Sequence, residues 1–294
     1  MRILIFGGAG MLGHRLLMHA QQAHEVWATV RGTASQIPFW PEFDRTRLIE
    51  KVDALNLEDI AGILSRVQPQ VVVNCIGIIK QSPLAHDPLP ALLVNAVFPH
   101  RLSQLCRVGG IRLIHISTDC VFSGKKGNYV ESDQSDATDL YGRTKYLGEV
   151  ANPDTLTLRT SIIGRELGTR FGLIEWFLSQ KGTIRGFTRA IYSGFTTDEL
   201  SRIIVKHVLP HQGLQGIYHV SCSPISKFDL LQMAKDALQH QVSIEPDASF
   251  QCDRSLNSER FRAQTGYYPP PWQAMIKELA ETSARYDKSR HHLS

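Results

Sequence analysis

The sequence predicts an α/β fold, a doubly wound parallel sheet with a smaller carboxy-terminal lobe. Short apolar segments rich in β-branched residues alternate with longer segments whose apolar residues recur at helical spacing. A glycine cluster follows the first apolar segment directly, and the alternation stops after Pro224. Strands that alternate with helices form right-handed crossovers, and these cover a parallel sheet on both faces.

The predicted elements follow in chain order. In the first half, the buried strands are expected at residues 2–6, 25–30, 71–75 and 113–117, and the helices at residues 11–22, 57–67 and 90–108. A strand at 155–163, a helix at 197–209 and a strand at 216–221 then extend the sheet past the middle of the chain. After Pro224, a helix at 226–239, an irregular region and a last helix at 272–286 form the smaller lobe.

Composition excludes several classes of protein. With 43% hydrophobic and 20% charged residues, the chain is neither a disordered protein nor a coiled coil. A net charge of +4 is too small for nucleic acid to be the main partner, and no apolar run approaches the roughly 20 residues of a membrane span. The five scattered cysteines, with no CxxC pair, favour reduced thiols, a cytoplasmic location and no metal site.

The glycine cluster predicts a Rossmann-type dinucleotide site. Gly7, Gly10 and Gly13 are spaced three residues apart, between the first strand and the first helix. Without side chains at these positions the turn can be tight, and the helix amides next to Met11 and Leu12 can approach a pyrophosphate.

The residues that end the next strands indicate which dinucleotide is bound. Arg31 stands where an acid would repel a 2′-phosphate, so the sequence favours NADPH and leaves NADH open. Asp53, before Ala54, is expected to end a third short strand and to accept a hydrogen bond from adenine. Cys75, at the end of the fourth strand, is small enough for the cofactor to lie close.

A tyrosine and a lysine four residues apart predict the catalytic pair. Tyr141 and Lys145 lie on one face of a helix, and Thr118 ends the fifth strand at the ligand-binding edge of the sheet. A nearby ammonium can lower a phenol pKa by roughly 1–3 units, which predicts Tyr141 as the acid–base group and Lys145 as its tuner. Thr118 would orient the substrate oxygen.

Motifs along nearly the whole chain resemble those of the extended short-chain dehydrogenase/reductase family, most closely its dTDP-4-dehydrorhamnose reductase branch. They lie at residues 7–13, 74–77, 94–96, 117–122, 141–145, 148–149, 158–161, 254–257 and 271–272. Two positions depart from the pattern of that branch: Cys120 replaces a usual tyrosine, and Ile162 stands where a tryptophan is frequent. These departures leave the identity of the sugar open.

The resemblance implies catalytic roles for Thr118, Tyr141 and Lys145 and a two-part organisation. Residues 1–165 and 190–223 would form the NAD(P)-binding domain, and residues 166–189 and 224–294 the nucleotide-sugar lobe. The residues assigned to the cofactor are Gly7, Gly10, Met11, Leu12, Gly13, Arg31, Asp53, Ala54, Cys75, Ile76, Gly77, Tyr141 and Lys145. Those assigned to the substrate are Asp119, Cys120, Arg165, Tyr192 and Arg254. The two arginines are included because a nucleotide diphosphate needs bidentate donors.

These assignments predict an NADPH-dependent reductase of a nucleotide-linked 4-keto-6-deoxysugar. A nucleotide-sugar epimerase or dehydratase that holds NAD tightly is one alternative, although Arg31 and the absence of an acid at Cys120 argue against it. A cofactor-binding regulatory subunit without turnover is the other, and it would have no need of the Tyr141–Lys145 pair. No membrane or nucleic-acid partner is expected, and homodimer formation stays open.

Overall fold

The computed structural model describes residues 1–37 and 44–290. Its strands are β1 (Arg2–Phe6), β2 (Glu25–Thr29), β3 (Leu48–Ile49), β4 (Val71–Asn74), β5 (Arg112–Thr118), β6 (Thr155–Thr160), β7 (Ile162–Ile163), β8 (Gly182–Tyr192), β9 (Phe195–Thr196), β10 (Gly216–His219), β11 (Ile225–Ser226) and β12 (Val242–Asp253). Its α-helices are α1 (Met11–Ala20), α2 (Leu57–Val67), α3 (Pro88–Ala91), α4 (Phe98–Val108), α5 (Leu140–Leu147), α6 (Leu173–Ser179), α7 (Thr197–Ile203), α8 (Lys227–Leu238), α9 (Glu259–Thr265) and α10 (Trp272–Arg290). The last four residues of the expected substrate lobe, 291–294, lie outside the described residues.

The central sheet confirms the predicted α/β fold. Its seven strands are parallel and follow the order β10-β6-β5-β4-β1-β2-β3. The order reverses next to β1, so the carboxyl ends of β1, β4 and β5 face the crevice where such sheets hold ligands. Strand β4 is buried along its whole length, as its run of three valines predicts.

Helices cover both faces of the sheet. On one face, Leu16 of α1 and Ile203 of α7 belong to a large apolar cluster, and on the other face Ile60 of α2 and Leu102 of α4 belong to a second. The helix predicted at 90–108 begins earlier, at Pro88, and contains a π-helical turn over Leu92–Val97.

The expected strand at 155–163 is broken. Strand β6 ends at Thr160, and β7 leaves the central sheet to pair with β9. The turn between them carries the chain from the central sheet toward the smaller lobe.

A second sheet corrects the expectation of an irregular region after residue 239. Strand β8 pairs antiparallel with β11 and parallel with β12, and β12 and α9 occupy residues 242–253 and 259–265 of that region. The sequence signal for β12 is weak because it contains Pro246 and is exposed at most of its positions, as edge strands often are. Since Ala190, Ile191 and Tyr192 belong to β8, the second sheet extends beyond residue 189, the expected boundary.

The smaller lobe shares its core with the central sheet. Helix α10 buries Met275, Ile276 and Leu279 in the same cluster that contains Leu16 of α1. In the described parts of the chain, 1–37 and 44–290, no helix combines the length and apolar character needed to cross a bilayer.

Candidate active site

The glycine turn has the geometry of a phosphate cradle. Gly7 adopts a φ of 89°, and a Cβ at Gly13 would collide with the carbonyl oxygen of Gly7. Gly10 is the N-cap of α1 and has no side chain with which to cap the helix, and the first turn of α1 carries no acidic residue. The amides that begin α1, at Met11 and Leu12, therefore offer hydrogen-bond donors and a positive helix end to an anion.

The groups expected beside the adenosine follow β2 and β3 in the chain. Arg31 is exposed just after β2. Asp53 does not end a strand, because β3 stops at Ile49; its carboxylate instead accepts the Leu55 N–H at 2.9 Å. Its exposed side chain stays at this edge of the sheet, next to the half-buried Ala54.

Two asparagines hold the loop that follows β4 against the glycine turn. The Asn74 side chain accepts the Ile76 N–H at 3.0 Å, and the Asn95 side chain both accepts from and donates to Ile78. A Cβ at Gly7 would lie 3.1 Å from the Ile76 side chain, so Cys75, Ile76 and Gly77 back directly onto the turn. Asn95 lies in the π-helical turn and was not among the predicted site residues.

The three catalytic candidates meet at the end of β5. Helix α5 begins after Asp139, whose side chain accepts the Gly142 N–H at 2.9 Å, and this cap fixes the turn that carries Tyr141. Lys145, one turn later, is buried and donates to the Ile116 carbonyl at 2.8 Å. The Thr118 hydroxyl accepts the Cys120 N–H at 3.1 Å and donates to the Asp119 carboxylate at 3.1 Å, and it lies near enough to the Tyr141 phenol to influence its pKa.

The electrostatics of Tyr141 run opposite to the sequence expectation. Burial raises the pKa of the Tyr141 phenol above its usual value, the nearby Cys120 thiol adds to the rise, and the Thr118 hydroxyl opposes it. Burial is the largest of these effects because it penalises the charged phenolate directly. Tyr141 therefore stays protonated at neutral pH, which suits a proton donor.

Burial lowers the pKa of Lys145 to about 8, and the charges of Glu149 and Cys75 oppose the fall. The ammonium form still predominates at pH 7. Lys145 also lies close to the loop after β4, since a Cβ at Gly77 would be 3.8 Å from its nitrogen. The Lys145 ammonium can therefore interact both with groups on α5 and with a cofactor bound on the other side of the crevice.

Four of the five predicted substrate residues gather around this centre. Asp119 is buried; burial raises the pKa of its carboxyl, and the charge of Arg254 opposes that rise. The Arg254 guanidinium donates to the Phe122 carbonyl at 2.7 Å and reaches the Cys120 sulfur at 3.8 Å. Tyr192 is buried near Asp119, with its ring 5.4 Å from that of Trp272.

Arg165 is the exception, and the expectation that it contacts the diphosphate is corrected. Its guanidinium donates to Glu175 at 2.7 Å, to Asp287 at 2.6 Å and to the Ser283 carbonyl at 3.1 Å. Only 2% of its side chain is exposed. A buried guanidinium that is already held by three acceptors on α6 and α10 is a structural ion pair.

The cradle fits a dinucleotide. A Cβ at Gly8 would come within 2.6 Å of the Ala28 Cβ, and one at Gly13 would overlap the Gly7 carbonyl, so glycine at these positions lets the turn pack tightly against β2 and the start of α1. Gly10, Met11 and Leu12 would hold the pyrophosphate, Arg31 the adenosine end and Lys145 the nicotinamide ribose. Within residues 1–37 and 44–290, no cluster of histidines, cysteines and acids suits a metal ion.

Comparison with known proteins yields one family. The sequence profile of the RmlD substrate-binding domain matches residues 1–285. The dTDP-4-dehydrorhamnose reductase of Mycolicibacterium smegmatis is 32% identical over 257 residues, which cover 81% of this chain and 69% of that protein. The dTDP-4-keto-6-deoxy-D-glucose reductase of Streptomyces niveus is 32% identical over 156 residues, and this match spans 53% of this chain and about half, 48%, of that protein.

A third relative and a solved structure complete the comparison. Methionine adenosyltransferase 2 subunit beta of Mus musculus is 32% identical over 151 residues, which cover 51% of this chain and 42% of that protein. The crystal structure of dTDP-4-dehydrorhamnose reductase from Bacillus anthracis in complex with NADP has a TM-score of 0.79 and 20% identity, covering 96% of this chain and 99% of that one. At this identity, the likeness establishes the fold.

Proposed function

The chain belongs to the RmlD substrate-binding domain family, and from this premise we propose that it is an NADPH-dependent reductase of a nucleotide-linked 4-keto-6-deoxysugar. The observation that carries the proposal is the meeting of Thr118, Tyr141 and Lys145 at the end of β5, beside the glycine cradle. Relatives named as reductases of dTDP-linked keto sugars support the substrate class.

The reaction requires one hydride and one proton. NADPH supplies the hydride when it is bound. Tyr141 gives its phenolic proton to the keto oxygen as that oxygen gains charge, and its raised pKa keeps the proton available at neutral pH. Thr118 donates a hydrogen bond to the same oxygen and directs it toward the phenol. The Lys145 ammonium stabilises the phenolate that remains after transfer.

Charged groups beside Tyr141 support a sugar-binding role for the adjoining pocket. Asp119 can accept hydrogen bonds from sugar hydroxyl groups. Arg254 is half-buried, so part of its guanidinium remains open to a substrate beside Cys120. We propose the division into a cofactor domain and a substrate lobe on the same ground, because the second sheet and Arg254 lie on the sugar side.

A regulatory subunit is the second candidate, and the relative named as a subunit of methionine adenosyltransferase favours it. Such a protein would bind a dinucleotide without turnover. The placement of Tyr141 beside Thr118 and the contact of Lys145 with the Ile116 carbonyl favour the reductase, because binding alone does not require a phenol next to these two groups.

A screen of nucleotide 4-keto sugars tests the proposal, with NADPH consumption followed by absorbance. We expect stoichiometric loss of NADPH with at least one substrate and a reduced sugar product. Conversion of a nucleotide sugar without net NADPH loss would identify an epimerase or dehydratase instead. NADPH binding with no turnover on any substrate of the panel would support the regulatory subunit.

A further inference from the structure

Two chains of polar contacts, called routes below, connect the last turns of α10 with the cofactor cradle. Helix α10 belongs to the expected substrate lobe, yet Tyr286 and Asp287 contact elements that border the amino terminus of α1. Apolar packing of α10 through Met275 and Leu279 requires neither contact. We call Ser283–Asp287, with these two routes, the α10 latch.

The first route runs from Tyr286 to the N-cap of α1. The His14 Nδ1 lies 2.8 Å from the Gly10 carbonyl, so this nitrogen carries a proton and donates it. Its Nε2 therefore accepts from the Tyr286 hydroxyl, 2.6 Å away in a fully buried position. Arg15 also hydrogen-bonds with the Tyr286 oxygen. The Tyr286 hydroxyl thus fixes the imidazole that holds the Gly10 carbonyl.

The second route runs from α10 through Arg165 to the loop that faces Met11. Arg165 bonds Asp287 and the Ser283 carbonyl on α10, stacks 5.3 Å above the Tyr286 ring and holds Glu175. The same Glu175 oxygen accepts the Glu166 N–H at 3.0 Å.

Glu166 completes the route to the cradle. Its buried carboxylate accepts the Phe171 N–H at 2.9 Å, the Gly172 N–H at 2.8 Å and the Thr169 hydroxyl at 2.7 Å. Gly172 lies so close to the Met11 methyl group that a Cβ there would overlap it. The loop that Glu166 folds therefore forms a wall beside the first turn of α1.

We propose that the α10 latch preorganises the dinucleotide cradle, with Tyr286 and Asp287 as positioning residues for cofactor binding. The proposal rests on the proposed function, because it takes the cradle to bind a dinucleotide. Binding energy is lost when a site must first be ordered. Loosening either route therefore weakens cofactor binding and leaves the chemistry at Tyr141 intact.

Tyr286→Phe and Asp287→Asn test the two routes separately. Tyr286→Phe removes one hydroxyl and keeps the ring, and Asp287→Asn removes one charge from a side chain that is 60% exposed. We expect the NADPH dissociation constant and KM to rise about three- to tenfold in Tyr286→Phe, as for one lost buried hydrogen bond, and about two- to threefold in Asp287→Asn, as for a weakened exposed ion pair, with kcat unchanged within about twofold in both. Tyr268→Phe, the same change at an exposed tyrosine, should alter neither constant.

Fluorescence titration with NADPH separates this inference from the proposed function. If the wild type binds neither NADPH nor NADH, the proposed function is wrong. If the wild type binds and both variants bind equally well, with only a lower melting temperature, the latch has a merely structural role and the inference is overturned. If Tyr286→Phe does not fold, Asp287→Asn decides by the same measurement.

Discussion

The Lys145 ammonium nitrogen lies 2.8 Å from the Ile116 carbonyl oxygen, which joins α5 to β5 at the carboxyl edge of the sheet. Tyr141 lies one turn before this lysine on the helix, and Thr118 lies two residues after Ile116 on the strand. This hydrogen bond therefore sets the distance between the Tyr141 phenol and the Thr118 hydroxyl, which would both contact the substrate oxygen.

Tyr141→Phe should abolish most turnover and leave NADPH affinity nearly unchanged, because the proton transfer matters only in the transition state. General acid–base groups contribute roughly 10²–10⁴-fold, so the loss of kcat should reach that range. Steady-state kinetics on a 4-keto nucleotide sugar measures it. Tyr146→Phe is the matched control on the same helix, since Tyr146 is exposed. Wild-type turnover in Tyr141→Phe would require another proton donor.

The lowered pKa of Lys145 predicts that the enzyme loses activity at alkaline pH. Because its pKa is lowered to about 8, its ammonium form declines as the pH rises through that value. We expect kcat/KM to fall above about pH 8, since this ratio reports on the free enzyme. Lys145→Met should slow turnover, weaken cofactor binding and remove this alkaline limb. An unchanged limb in Lys145→Met would assign it to another group.

Local sequence was sufficient to predict the tight glycine turn and a helix that carries Tyr141 and Lys145, and contacts between distant residues account for what it missed. Gly7 and Gly13 belong to one short turn, and Tyr141 and Lys145 lie one helical turn apart, so their spacing can be recognised in the local sequence. The partners of Arg165 instead include Asp287, more than a hundred residues later, so its structural role leaves no local signal. The raised pKa of Tyr141 likewise follows from burial, which depends on the packing of the whole fold.

Arg31 predicts cofactor preference. An arginine can form a charge-assisted pair with the 2′-phosphate, and such pairs contribute roughly 1.5–3 kcal/mol. We expect the wild type to prefer NADPH over NADH by about ten- to a hundredfold, and Arg31→Asp to lose this preference through repulsion. Arg31→Gln, which removes the charge without reversing it, should fall between them. Equal affinity of the wild type for both dinucleotides would contradict the assignment.

Gly13→Ala and Gly62→Ala should have opposite effects. A Cβ at Gly13 meets the Gly7 carbonyl, so the alanine variant should lose cofactor binding and stability. In the middle of α2, a Cβ at Gly62 would meet no atom of the described residues within 4 Å, apart from the backbone of its own helix. Alanine there should stabilise the protein by about 0.5–1 kcal/mol through helix propensity. Thermal unfolding and NADPH titration check both variants, and normal binding by Gly13→Ala would refute the close turn.

Buried histidines predict a loss of stability in mild acid. Burial lowers the pKa of His14 to about 4, and burial together with the Arg159 charge lowers that of His219 to about 4. The unfolded chain takes up these protons near pH 6.5, whereas the folded chain does so only near pH 4. The stabilisation is therefore fully present above pH 6.5 and is lost as the pH falls toward 4.

Each of these histidines should contribute a slope of up to about 1.4 kcal/mol per pH unit in that window. The raised pKa of Asp119 works in the opposite sense, because the folded state then holds a proton that the unfolded state has released. Urea unfolding between pH 4.5 and 7 measures the net slope. His219→Gln should reduce it by about one proton equivalent, whereas His86→Gln, at an exposed position, should leave it unchanged. The neutral His219 ring is hydrogen-bonded to the Tyr129 carbonyl at 3.0 Å and to Arg159 at 3.2 Å. If His219→Gln keeps the full wild-type slope, this ring has no part in the proton uptake, which then belongs to another group.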